Sequence, residues 1–220
     1  MFQLNTDFLA QWAPRIAILL FCLPVHEFAH AWAANKLGDD TADQQGRLTL
    51  NPFVHLDIVG SIVLLFAGFG WAKPVPVDTR VFKHPRRDMA LVAIAGPLSN
   101  IIMAAIMLAA VKVIMYTVHA GSPFPVAGAI QVLSTMLSIN LVLACFNLLP
   151  VPPLDGSKFF GAIMPERYYF GMMRYERFVF PVLILLIFTQ RLGPILRWMS
   201  VRMFAMIDFI TMPIDLLLGG

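Results

Sequence analysis

Between Met89 and Val118 the chain runs for thirty residues with a single charge, Lys112. About 20 apolar residues suffice for a helix to cross the hydrocarbon of a bilayer, so this run sets the solvent for the whole fold. Composition agrees. Of 220 residues 59% are hydrophobic and 13% charged, and the mean hydropathy is +0.75, against about 45–50% apolar and about 25% charged in a soluble domain. The chain therefore reads as an all-α polytopic membrane protein, one membrane-embedded unit over residues 1–220, without an internal repeat or an appended polar domain. Its net charge of +3 is distributed between the apolar runs, a pattern of membrane flanks that argues against nucleic acid as a partner. Cys22 and Cys145 fall inside apolar runs with no CxxC spacing, which argues against a disulfide framework or a four-cysteine metal site.

About five transmembrane helices are expected. The first runs from Pro14 to Leu37, since Pro14 suits a first helical turn and Gly38 a stop. It lacks a basic leader and is interrupted by His-Glu, so it reads as retained, not as a cleaved signal. After a polar loop, Val59 to Phe69 is too short to span and reads as re-entrant or interfacial, with non-helical backbone. Trp71 to Val77 continues it as a proline-stiffened strand, which makes residues 59–78 a re-entrant extended or β segment. The second span is Met89 to Val118, kinked near Gly96-Pro97, and the third is Ala127 to Leu149. Pro150, Pro152 and Pro153 forbid its continuation, because each lacks an N–H and clashes with the preceding turn. A fourth span, Phe178 to Thr189, opens in the Tyr168 to Tyr175 region; a fifth element, Ile195 to Leu218, crosses the membrane or lies along it.

Positive charge sets the orientation. Lys73, Arg80, Lys83, Arg86 and Arg87 precede the second span, and Lys158, Arg167, Arg174 and Arg177 follow the third. The turn between those spans, His119 to Val126, carries no Lys or Arg. Both basic loops are then cytoplasmic, the turn is outside, and the first helix runs inward across the cell membrane.

The inner half of that helix carries His26-Glu27-Phe28-Ala29-His30. Side chains four apart share a helix face with Cβ atoms about 5–6 Å apart, so both imidazoles reach one ion. Glu27 lies beside them, placed to take a proton from a water held by that ion. Glu27 is also the only glutamate in the first three spans. A charge near the bilayer centre costs about 2.5–3.5 kcal/mol on insertion scales, which disfavours an idle one. A catalytic zinc takes three protein ligands, so a third is needed. Cys22, one turn before His26, reads better as a small buried hydrophobe. His55, Asp57 and His84 are loop competitors. Asp155 is preferred, because a helix broken at Asn147-Leu-Leu-Pro-Val-Pro-Pro-Leu-Asp155-Gly156 presents it on the same side as His30.

Four motifs in order, HEFAH, GWAKPVPV, AGPLSN (Ala95 to Asn100) and NLLPVPPLDG, closely resemble the site-2 protease family of intramembrane metalloproteases. The resemblance covers roughly Val25 to Ser157. It implies that His26, His30 and Asp155 bind one zinc ion per chain, that Glu27 is the catalytic base, and that peptide bonds are cut in or near transmembrane segments. The family's frequent PDZ or CBS domains find no counterpart. The implied substrate is a single-pass membrane protein or a signal-peptide remnant, met in the lipid bilayer on the cytoplasmic side.

Asn147 shares the Asp155 segment and reads as a holder of substrate backbone or oxyanion, whereas Asn100 and Asn140 read as helix–helix hydrogen bonds. Trp71 to Val77 offers a strand edge for an extended substrate, and equally fits an interfacial turn. The 13 methionines read as packing. The rival reading is a metal-binding membrane protein or transporter that uses the same histidines without hydrolysis.

Overall fold

The computed structural model describes residues 6–118, 126–165, 167, 171, 174 and 176–218. The expected outer turn, His119 to Val126, apart from Val126 itself, and most of the Tyr168 to Tyr175 stretch lie outside the described residues.

The first span is a compound helix: α1 (Thr6–Ala17), a π-helical turn (Ile18–Cys22) and α2 (Leu23–Lys36). The wide turn has a local cause. Pro24 has no N–H to give the turn before it, and the Leu23 N–H instead reaches back five residues to the Ile18 carbonyl. Two short helices, α3 (Thr41–Gln44) and α4 (Pro52–His55), fill the polar loop.

The apolar run after Asp57 departs from expectation. It is helical, α5 (Ile58–Ala67), with the Asp57 carboxylate accepting from the Gly60 N–H at 2.7 Å as its cap. Periodicity does not separate a short apolar strand from a buried helix, and in a poorly solvated place a helix satisfies its own backbone. Ten residues give about 15 Å of helix, half the layer. Arg15 donates to the carbonyls of Leu65 and Phe66, which fastens the end of α5 to α1. The segment that follows, through Val77, makes one isolated antiparallel bridge, Leu56 with Ala72, and no strand is found among the described residues.

That segment is nevertheless fixed. The Lys73 N–H donates to the His55 carbonyl at 2.8 Å, the buried Arg47 donates to the Lys73 carbonyl at 2.6 Å, and the Asp78 N–H donates to the buried Asp39 carboxylate at 2.8 Å. At the surface Asp78 hydrogen-bonds Arg80, which holds its carboxyl down to about 2.

α6 (Pro85–Thr117) is the hub, packing against α2, α7 (Val126–Asn147), α8 (Asp155–Gly161) and the last helix, α10 (Gly193–Leu218). Ala104, Leu108, Leu137, Leu141 and Ile207 join α6, α7 and α10, while Ala33, Ala34, Phe82 and Val92 join α2 to the start of α6. Alanines at these crossings let backbones approach, as membrane helices require. Large apolar side chains such as Ile102, Ile106 and Val132 point outward, each more than half exposed, as lipid contact demands.

Among the described residues, three helices are long and apolar enough to cross a membrane: Trp12–Lys36, Pro85–Thr117 and Val126–Asn147. The expected fourth and fifth spans form a bent pair instead. α9 (Glu176–Phe188) meets α10 at 83°, and by length and composition the described residues of the two make up to one further span. The described part of α9 extends about 20 Å over 13 residues, with helical backbone also at 167, 171 and 174 before it, and α10 is docked on α6 and α7.

Candidate metal centre

α2 carries His26, Glu27 and His30, all buried. Their helical spacing turns both imidazoles to one face, where the two Nε2 atoms stand 3.0 Å apart. Asp155, the first residue of α8, brings Oδ2 to 3.2 Å from each of them. Among the described residues, one group of His, Cys, Asp or Glu is gathered closely enough to hold a metal ion. It is this one, with ligand atoms all within 4.8 Å of one another.

Two glycines make the convergence possible. At Gly96 of α6, a Cβ would lie 2.4 Å from His30 Nε2 and 2.6 Å from His26 Cε1, so bare backbone forms this wall of the site. At Gly156, a Cβ would meet the Leu148 and Leu149 carbonyl oxygens at 2.4 Å. The proline-rich turn can therefore fold back tightly enough to start α8 beneath the end of α7.

The donor set fits zinc. His30 Nδ1 lies 2.8 Å from the Val92 carbonyl, which can only accept, so Nδ1 carries the proton and Nε2 the lone pair. His26 Nδ1 lies 2.7 Å from Asn100 Oδ1, with the same consequence. Two imidazole lone pairs and a carboxylate oxygen then face one buried point, and among the described residues no lysine or arginine is paired with them. Such a cluster repels itself unless a cation sits inside it, and two neutral imidazoles with one carboxylate form a zinc set.

Glu27, next to His26, accepts the Val75 N–H on Oε2 at 3.2 Å. Val75 lies between Pro74 and Pro76, neither of which has an N–H. Of that tripeptide only the Val75 amide can donate, and it is aimed at Glu27.

The other candidates fall elsewhere. Cys22 is buried one turn before His26, but its Sγ faces the Asn140 amide at 3.5 Å, outside the metal-competent group. His55 bonds the Thr49 carbonyl at 2.7 Å, Asp57 caps α5, and His84 precedes α6 with its N–H on the Asp88 carboxylate at 2.9 Å. Asn147 ends α7, and its Nδ2 donates to the Leu143 carbonyl at 3.1 Å. Sequence reasoning gave no role at the site to Gly96, Asn100, Val75 or Arg47. The signal for Asn100 lay in its cost: a buried amide in an apolar span needs a partner.

A model of peptidase family M50 matches residues 14–189. The chain belongs to that family. YwhC of Bacillus subtilis is 44% identical over 184 residues, covering 83% of each chain. Rip2 of Mycolicibacterium smegmatis is 28% identical over 204 residues, 88% of this chain and 73% of its own. A zinc metalloprotease of Methanocaldococcus jannaschii is 26% identical over 157 residues, 71% of this chain and 36% of its own. All three are named as zinc metalloproteases. No solved structure matches the chain. As an M50 peptidase with polytopic helical architecture it is an intramembrane zinc metalloprotease, acting on membrane proteins in the bilayer; the transporter reading is not favoured.

Proposed function

We propose that His26, His30 and Asp155 hold the catalytic zinc, that Glu27 is the general base, and that the centre works on the cytoplasmic side of the cell membrane. The observation that carries this reading is the convergence of three lone-pair donors, within 4.8 Å of one another, on a buried point beside a buried glutamate. Bound zinc supplies a Lewis acid that polarises the scissile carbonyl and lowers the pKa of the attacking water toward about 7. Glu27 takes a proton from that water as its oxygen adds to the carbonyl carbon, then passes it to the amine nitrogen as the C–N bond breaks. The Val75 N–H fixes the rotation of the Glu27 carboxylate. Asn147 holds the substrate backbone or the oxyanion.

The substrate is a single-pass membrane protein or a signal-peptide remnant, locally unwound so that its peptide bond is exposed. The strap from Trp71 to Val77 receives it in extended form; its anchoring by Arg47 and Asp39 supports that use. The Lys and Arg flanking α6 and following α7 support the cytoplasmic placement.

The test is Glu27→Gln in the detergent-solubilised protein. It is expected to keep zinc at wild-type stoichiometry and to cleave a transmembrane peptide about 10²–10⁴-fold more slowly, the usual loss with a general acid–base. Undiminished cleavage removes Glu27 from the mechanism. Wild-type zinc affinity in Asp155→Ala removes the third ligand.

A further inference from the structure

We propose that Asn140 and Asn100 are positioning residues, a two-helix relay that fixes the tautomer of His26 and thereby its affinity for the metal. The inference rests on the metal-centre reading above and adds two residues, from α6 and α7, to it.

The relay begins at an atom with no choice. The Met136 carbonyl can only accept, and Asn140 Nδ2 donates to it at 2.9 Å, so the Asn140 amide has a fixed orientation. Its Oδ1 therefore faces Asn100, whose Nδ2 donates to it at 2.9 Å. Asn100 Oδ1 is left to face His26 Nδ1 at 2.7 Å, which requires Nδ1 to carry the ring proton. His26 Nε2 is then a lone pair, 3.0 Å from His30 Nε2 and 3.2 Å from the Asp155 carboxylate. Both asparagines are fully buried, so water cannot replace either partner.

Reversing one amide reverses the outcome. If Asn100 presents Nδ2 to His26, Nδ1 must accept, the proton moves to Nε2, and the nitrogen facing the site can no longer ligate. Asn140 blocks that flip. His30 needs no such device, because the Val92 backbone carbonyl sets its tautomer directly. The two ligands of one helix are thus secured differently, one by main chain and one by two side chains. Loss of the partner that orients a metal-bound histidine typically weakens the metal about 10–100-fold.

The experiment measures zinc affinity of the full-length, detergent-solubilised protein by competition with a chromophoric chelator, alongside the absorption spectrum of the Co²⁺-substituted protein. Asn100→Leu is expected to weaken zinc about 10–100-fold, Asn140→Leu less, and the double variant no more than Asn100→Leu alone, since the two act in series. Asn100→Asp, whose carboxylate keeps the acceptor for the His26 Nδ1–H, restores near-wild-type affinity. A purely structural role would lower the unfolding temperature and leave zinc affinity and the Co²⁺ spectrum unchanged; that result, or additive losses in the double variant, overturns the relay. Should a leucine variant not fold, Asn100→Ser and Asn140→Ser, too short to bridge, are read in the same titration. His26→Ala separates the two levels. If it abolishes zinc while the asparagine variants bind zinc with wild-type affinity, the relay alone fails; if zinc is unaffected, the metal-centre reading fails with it.

Discussion

α6 touches two polar clusters. Near its start, Val92 supports His30 of the proposed metal centre. Twenty residues on, about 30 Å along the helix, Lys112 Nζ lies between Asp208 Oδ1 at 2.8 Å and Asp215 Oδ2 at 2.5 Å, with the Tyr116 hydroxyl 3.2 Å from Asp215. Both place charge among helices in a lipid-facing fold, yet they are opposites. At Lys112 an ammonium with three donors meets carboxylates that only accept, and the atoms satisfy one another. At His26, His30 and Asp155 the side chains turn only lone pairs inward. A polar cluster complete in itself acts as a fastener between helices; one left with acceptors alone is a socket for a cation.

The largest effect that tests this contrast is steric. Gly96→Ala would put a carbon 2.4 Å from His30 Nε2 and 2.6 Å from His26 Cε1, into two imidazole rings with no long flexible side chain to yield. Zinc affinity is expected to fall more than about 100-fold, beyond the loss of an orienting hydrogen bond, and cleavage with it. Gly128→Ala, where nothing lies within 4 Å, serves as control and should change neither. Chelator titration of both proteins decides it. An alanine at 96 that binds zinc normally would mean that α6 does not wall the site.

Next comes the fastener. Lys112→Met strands two carboxylates beside α6. Loss of one partner of a fully buried pair costs about 3–5 kcal/mol, but Asp208 and Asp215 are about half and a third exposed, so about 1–3 kcal/mol is expected. Combining it with Asp208→Asn and Asp215→Asn should recover most of that, because the stranded charges go with the lysine. Zinc affinity should stay at the wild-type value throughout. Denaturation in detergent and chelator titration on the same samples separate the two effects. Zinc affinity falling in step with stability would merge the clusters into one coupled unit and end the distinction.

How much of this could be read from residues alone varied with the range of the interaction. The i, i+4 spacing placed His26 and His30 on one face, and the prolines after Asn147 marked where α7 had to stop, two locally determined outcomes. The helicity of α5 was missed because a short apolar run has no period that distinguishes strand from helix. The bend between α9 and α10 was missed because hydropathy reports length and not direction; the docking of α10 through Lys112 is a contact across 103 positions. Asn100 and Asn140 were legible as costly amides but not as a relay, since its direction depends on a backbone carbonyl in a third turn. Arg47 and Val75 meet through a strap with no regular structure, where the sequence offers only two prolines as a clue.

The smallest effect belongs to a third pair, Asp78 with Arg80, whose chemistry matches the fastener but whose solvent is water. The Arg80 hydrogen bond lowers the Asp78 carboxyl from 3.8 to about 2. A depressed carboxyl contributes stability that is fully present above its ordinary value and is lost as pH falls through about 2. Asp78→Asn should therefore lower the unfolding temperature slightly at neutral pH, and the gap to wild type should close on acidification between about 4 and 2. Salt should close it as well, since exposed ion pairs are screened. Lys112→Met should keep more of its loss in high salt, because the Lys112 ammonium is 12% exposed against 89% for Arg80. If Asp78→Asn cost as much as Lys112→Met at neutral pH and high salt, burial would not be what separates the pairs, and the case for the metal centre as a special, cation-requiring cluster would weaken with it.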